Sequence, residues 1–245
     1  MNNVTTTQLE LNLKVLKLTK VLENYKSISK EVLEEKLTNI DLLCRLTEVE
    51  IEHRKNKKIA TILKGAKFPI VKTLDNFDFK HIPTIKKDTI LELIRGNFLS
   101  DATNIVLYGP PGTGKTHLTI SIGRELCLQG YKVIFLTACE LVQELVRARQ
   151  ELCINKLFKK YDRYKLVCID ELGYVPFNKS EAELLFQFIS NRYEKSSLLI
   201  TSNLVFSEWD KVFQNTITTS AVVDRIIHHC VILECNAKSY RLNNA

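Results

Sequence analysis

A chain of 245 residues, 45% of them hydrophobic, can bury the core of one full α/β domain plus a smaller appendage, which excludes a disulfide-stapled miniprotein and a disordered tail. Its formal net charge of +7 favours a polyanionic partner. Seven scattered cysteines without a C-x-x-C pair, no charged leader before an apolar run and no apolar stretch of about 18 residues predict a reduced, soluble, cytoplasmic protein with no membrane partner.

Residues 6–24 carry Leu9, Leu13, Leu16, Val21 and Leu22 at roughly helical spacing, which predicts a short amphipathic helix broken at residues 25–28. Ser29 then caps a second, longer helix with Glu31 in its first turn and Leu33, Leu37, Ile40, Leu43 and Leu46 on one face. Between Ile51 and Lys67 six basic residues meet one acid, Glu52. Arg54, Lys57, Lys58 and Lys64 fall near one helical face and are candidates to follow a phosphate backbone, although the same charges suit a solvated helix end. Residues 1–67 are therefore read as a helical DNA- or partner-binding region. Residues 68–88, with Pro69 and Pro83, form a linker whose Phe77 and Phe79 either cover a nucleobase or pin the linker to the core. Residues 89–245 are the nucleotide-binding domain, opening with a helix from Ile85 to Gly96 that overlaps the linker's end.

Asn104-Ile105-Val106-Leu107-Tyr108 reads as a buried parallel strand, and Gly109-Pro110-Pro111-Gly112-Thr113-Gly114-Lys115-Thr116 follows it, fitting G-x-x-x-x-G-K-[ST] at every fixed position. Three of the chain's eight glycines lie in these eight residues, because backbone N–H groups converge on phosphate oxygens only where side chains are absent. A helix from His117 to Gln129, closed by Gly130, points its dipole and free N–H groups at the anion. The nucleotide-binding set is taken as Gly109 to His117 together with Asp170, and the ligand as a nucleoside triphosphate.

Lys132 to Thr137 is a second strand and Cys139 to Leu152 a helix; the alternation indicates a parallel sheet. A second basic cluster follows, of which Arg147, Lys159 and Lys160 join the DNA-contact candidates; an ordinary exposed face is the rival reading. Leu166-Val167-Cys168-Ile169 runs into Asp170 and Glu171. At the carboxyl end of a strand beside the phosphate loop, Asp170 would hold Mg²⁺ with Thr116, and Glu171 would orient and deprotonate the attacking water. Ser180 to Glu194 is a helix and Ser197 to Asn203 a buried strand; Asn203 either positions the lytic water or stabilises a turn. A short helix from Ala221 to Ile227 and a last strand from Val231 to Glu234 complete the domain. His228, His229, Cys230 and Cys235 do not have zinc-ligand spacing and read as part of the core strand.

Gly109 to Thr116, Ile169-Asp170-Glu171, Ile200-Thr201-Ser202-Asn203, Asp224-Arg225 and Ser239-Tyr240-Arg241 together resemble an AAA+ ATPase of the DnaC/IstB branch. The resemblance is closer to IstB. It is carried by Phe68-Pro69, Lys72 to Phe79, Asp170 to Tyr174, Thr201 to Leu204 through Glu208-Trp209, and Asp224-Arg225 with His228-His229, and it covers nearly the whole chain. It implies a P-loop NTPase parallel sheet flanked by helices with a small N-terminal helical domain. It also implies that Lys115 and Thr116 act as Walker A residues, Asp170 and Glu171 as Walker B and Asn203 as sensor 1. Arg225 would then be an arginine acting on a neighbouring subunit's γ-phosphate, and Arg241 a sensor 2 arginine. One departure is that Cys235-Asn236-Ala237-Lys238 lacks the glycine such chains usually carry before Ser-Tyr-Arg.

The expectation is an ATP-dependent helper of insertion-sequence transposition, a homo-oligomer that assembles on duplex DNA without sequence preference. It would present the DNA to the transposase of the same element and release it on hydrolysis. A helicase loader of the DnaC type is the alternative. A polypeptide-threading ATPase would carry an aromatic-glycine pore loop, yet no glycine occurs between Tyr131 and Leu172. An ATP-gated scaffold would not need Glu171.

Overall fold

The computed structural model describes residues 3–240, so Arg241 lies outside the described residues. They divide into two compact units, one reaching to Thr61 and the other starting at Ile62.

The first unit is helical: α1 (Asn3–Val15), α2 (Thr19–Glu34) and most of α3 (Asn39–Gly65). The helix break expected at residues 25–28 is absent, and α2 runs straight through it. The chain turns instead at Lys17 and Lys36, both in left-handed backbone at φ 55° and 56°. The cap that starts α3 is Thr38, whose hydroxyl accepts the Asp41 N–H at 3.3 Å while Asp41 Oδ2 accepts the Thr38 N–H at 2.9 Å. Ser29 sits inside α2. Val21, Ile28 and Val32 are the buried face of that helix, whereas Leu37, Ile40 and Leu43, expected inward, are exposed.

The second unit is a three-layer α/β/α sandwich. Its strands are β1 (Asn104–Tyr108), β2 (Val133–Thr137), β3 (Leu166–Leu172), β4 (Ser197–Ser202) and β5 (Cys230–Glu234). They pair in parallel in the order β2-β3-β4-β1-β5. Alternation along each strand sends side chains to opposite faces. Ile105 and Leu107 join Leu118, Ile122 and Leu126 of α5 (Lys115–Leu128) and Ile90 and Leu93 of α4 (Lys87–Ile94). Val106, Ile134, Val167 and Ile200 pack on the other face against α6 (Ala138–Gln150), α8 (Lys179–Arg192) and α10 (Thr216–Ile227). Two shorter helices, α7 (Ile154–Tyr161) and α9 (Asp210–Phe213), complete the set among the described residues. Capping boxes start α6 at Thr137 with Glu140 and α8 at Asn178 with Glu181. Because every strand runs the same way, the loops after β1, β3 and β4 open on one edge of the sheet.

Candidate active site

The loop Gly109 to Gly114 leaves β1 and delivers its last glycine as the N-cap of α5, in left-handed backbone at φ 95°. A Cβ on Gly114 would stand 2.8 Å from the Phe77 ring, and one on Gly112, at φ 78°, would run into the Ser239 side chain. The cradle is thus supported on its outer side by two segments distant in sequence. The Tyr240 N–H donates to the Gly112 carbonyl at 3.0 Å. His81 Nε2 donates to the Lys238 carbonyl at 2.7 Å and its ring meets Tyr240 edge-on at 5.1 Å. His117 donates to the Thr73 carbonyl at 2.8 Å and stacks edge-on against Phe77 at 5.2 Å. Phe77 therefore binds the linker to the loop and the first turn of α5. Lys115 Nζ folds back onto its own loop, donating to the carbonyls of Gly109 at 2.6 Å and Pro110 at 2.7 Å.

Strand order explains the rest of the site. β4 lies between β1 and β3, so a group following β1 must reach across β4 to meet one on β3. Thr116 does so: its hydroxyl donates to Asp170 Oδ2 at 3.0 Å. Thr201, on the intervening strand, donates from its own hydroxyl to Asp170 Oδ1 at 2.5 Å and accepts the Glu171 N–H at 3.0 Å. The sequence places this threonine in a strand and in a family motif and gives it no role of its own.

The β3–β4 register breaks between Ile169 and Leu172, and Glu171 has φ 64°, a left-handed conformation that a non-glycine residue adopts at a cost. The bulge breaks the alternation of the strand. Asp170 stays buried at 3% exposure while the Glu171 side chain is turned out to solvent.

Burial raises the Asp170 carboxyl above its ordinary value, against the hydrogen bonds from Thr201 and Thr116 and the charge of Lys115. A buried carboxylate beside a hydroxyl is the oxygen donor set that a hard divalent cation takes, and such a cation would reverse that shift. A cavity of about 440 Å³ opens here, lined by Thr116, Asp170 and Glu171 and by Thr137, Glu140, Glu144 and Arg147. Asn203 follows β4, and its Oδ1 is buried without a hydrogen-bond partner among the described residues, 3.1 Å from where a Cβ on Gly173 would stand.

Of the remaining predicted residues, Arg147 lines that cavity. Arg225, on α10, bonds back to the Ala221 carbonyl at 2.9 Å and lies 4.9 Å over the Phe186 ring of α8. Arg54 is engaged by Glu50 at 2.8 Å and the Lys17 carbonyl at 3.1 Å, and Lys160 by Glu144 at 3.0 Å. Lys57, Lys58 and Lys64 on α3, Arg147 on α6 and Lys159 on α7 are exposed.

Comparison with known proteins fits this geometry. The family model described as IstB-like ATP binding protein matches residues 11–245. A protein named as an ATP-binding protein of insertion sequence IS232, from Bacillus thuringiensis subsp. berliner, is 38% identical over 237 residues, 97% of this chain and 95% of that one. Another, named for insertion sequence IS5376 of Geobacillus stearothermophilus, is 40% identical over 202 residues, 82% of this chain and 80% of that one. Among solved structures, the DnaC helicase loader shares the fold with a TM-score of 0.52 at 20% identity, covering 60% of this chain and 85% of its own. The chain belongs to the IstB-like ATP-binding protein family and is a P-loop ATPase with the AAA+ fold.

Proposed function

We propose that this member of the IstB-like family is an ATP-dependent helper of insertion-sequence transposition. ATP-bound subunits assemble on duplex DNA, present it to the transposase of the same element and release it on hydrolysis. The observation that carries the reading is the linked group Thr116, Asp170, Thr201 and Glu171 beside the phosphate loop, in a chain that matches an insertion-sequence protein almost end to end.

In this reading Gly109 to His117 cradle the triphosphate at the start of α5, and Lys115 exchanges its two loop carbonyls for phosphate oxygens. Thr116 and Asp170 would hold Mg²⁺, which would supply neutralisation of phosphate charge when bound. Glu171, exposed and set out of the strand by its bulge, takes the proton of the attacking water. Asn203 offers its unpartnered carbonyl oxygen to orient that water. Lys57, Lys58, Lys64, Arg147 and Lys159 are the stronger candidates for phosphate contact on DNA, since Arg54 and Lys160 already serve internal partners. The DnaC-like fold keeps a helicase loader as the second reading, with the same ATPase core and a different protein partner.

The test is ATP turnover by the purified chain with and without duplex DNA of two unrelated sequences, over a salt series. The expected result is stimulation by both duplexes alike, falling steeply as salt rises. Turnover indifferent to DNA would sink the DNA-assembly model, and stimulation by a replicative helicase instead would select the loader.

A further inference from the structure

His228 and His229 belong to the motif that follows Arg225, and the ATPase site uses neither. The chain turns between them: His228 closes α10, its N–H donating to the Asp224 carbonyl at 3.1 Å, whereas the His229 carbonyl accepts from Asn104 N at 2.8 Å at the start of β5. The turn brings the two rings together edge-on, with centroids 4.3 Å apart. A third group comes from α8. Just past its end Glu194 adopts left-handed backbone at φ 58°, and its Oε1 lies 3.8 Å from His228 Nδ1. One ring nitrogen of each histidine and one Glu194 oxygen all lie within 4.8 Å of one another. Tyr193 OH, 2.9 Å from His228 Nδ1, holds that ring in place.

We propose that Glu194, His228 and His229 form a site for a divalent transition-metal ion, with zinc as its representative and water completing the coordination. Two imidazoles and one carboxylate are the ligand set of open, three-residue zinc sites, and imidazole nitrogen selects against magnesium and calcium. The two nearby cysteines take no part: Cys235 is fully buried, and Cys230 Sγ is directed to the Val231 carbonyl at 3.6 Å. A simple His228–Glu194 ion pair gives no role to His229, whereas a metal ion uses all three groups. The ion ties the end of α8 to the end of α10, three residues beyond Arg225. It would therefore fix the helix that carries this arginine against the helix that carries Phe186.

The test is calorimetric titration of the full chain with zinc chloride after chelator treatment and desalting, beside Glu194→Gln and His229→Ala. Both substitutions are at exposed positions. Zinc protection of the histidines from diethyl pyrocarbonate, read by peptide mass spectrometry, identifies the ligands. The expected result is one saturable site, weakened about tenfold or more in each variant, with His228 and His229 protected only in the unsubstituted chain. Absence of saturable binding, or binding and protection unchanged by the variants, would overturn the proposal; the latter would place the zinc on thiols such as exposed Cys44.

Discussion

Thr201 serves both acidic residues through one hydroxyl, donating to Asp170 and accepting from the Glu171 backbone. A hydrogen bond to a charged group is worth about 1.5–3 kcal/mol, so Thr201→Val, close to it in shape, is expected to slow ATP turnover by roughly 10- to 100-fold. It should also raise the Mg²⁺ concentration needed for half-maximal rate, and Thr201→Ser should restore most of both. A valine variant with unchanged rate and Mg²⁺ dependence would show that the hydroxyl only fills space. Glu171→Gln, in contrast, is expected to keep ATP binding and lose turnover by about 10²- to 10⁴-fold, the usual contribution of a general base, in a phosphate-release assay. Lys115, Thr116, Asp170 and Glu171 were legible as a candidate site because phosphate and cation chemistry restricts residue type and spacing. Thr201 was not, since a threonine ending a buried strand has many uses and its partner became visible only with the strand order.

Helices and strands were legible where the apolar pattern was strong, as in the continuously buried run of β1, and less so where a helix had little to pack against. The first unit shows this: residues 25–28 carry no obligate breaker, so α2 continues through them, and the chain turns only where Lys17 and Lys36 adopt left-handed backbone. Helix α7 had gone unread inside a basic cluster, and its placement depends on Arg192 of α8. That buried guanidinium donates to the carbonyls of Tyr161 and Tyr164 at 3.0 Å each and of Ser197 at 3.2 Å, joining the end of α7 to the starts of β3 and β4. Burial pulls its pKa down to about 10, which leaves it protonated at neutral pH. Arg192→Met orphans these carbonyls at a cost on the order of 3 kcal/mol, and thermal unfolding should fall by roughly 6–12 °C. Glu144 ties α6 to the same helix. Burial alone would raise its carboxyl, but hydrogen bonds from Lys160 and Tyr161 outweigh it and hold the group below its ordinary 4.5. A depressed carboxyl stabilises the fold above its ordinary value and loses that contribution as pH falls through the lowered one. Urea unfolding of Glu144→Gln should accordingly lose less stability between pH 7 and acid than the unsubstituted chain; an equal loss would mean the network is not coupled to folding.

At the scale of the molecule, alternating strands and helices made a parallel sheet legible, whereas the insertion of β4 between β1 and β3 was not, because crossovers do not name their neighbours. Nor was the support that residues 238–240 and the linker lend to the phosphate loop, which joins positions 44 to 157 residues apart. The same scale bears on Arg225. Its observed contacts, the Ala221 carbonyl and the Phe186 ring, belong to the α8–α10 face, while the phosphate loop is held by the linker and the segment after β5. In the proposed assembly, an arginine on that face would act on the phosphate held by a second copy's loop. Arg225→Ala and Glu171→Gln should then each be nearly inactive alone. In an equimolar mixture on DNA, one junction in four pairs an intact Glu171 with an intact Arg225 from its neighbour, so turnover should recover to about a quarter of the unsubstituted rate. An arginine acting within its own subunit would leave the mixture as inactive as its components, since no chain in it carries both residues.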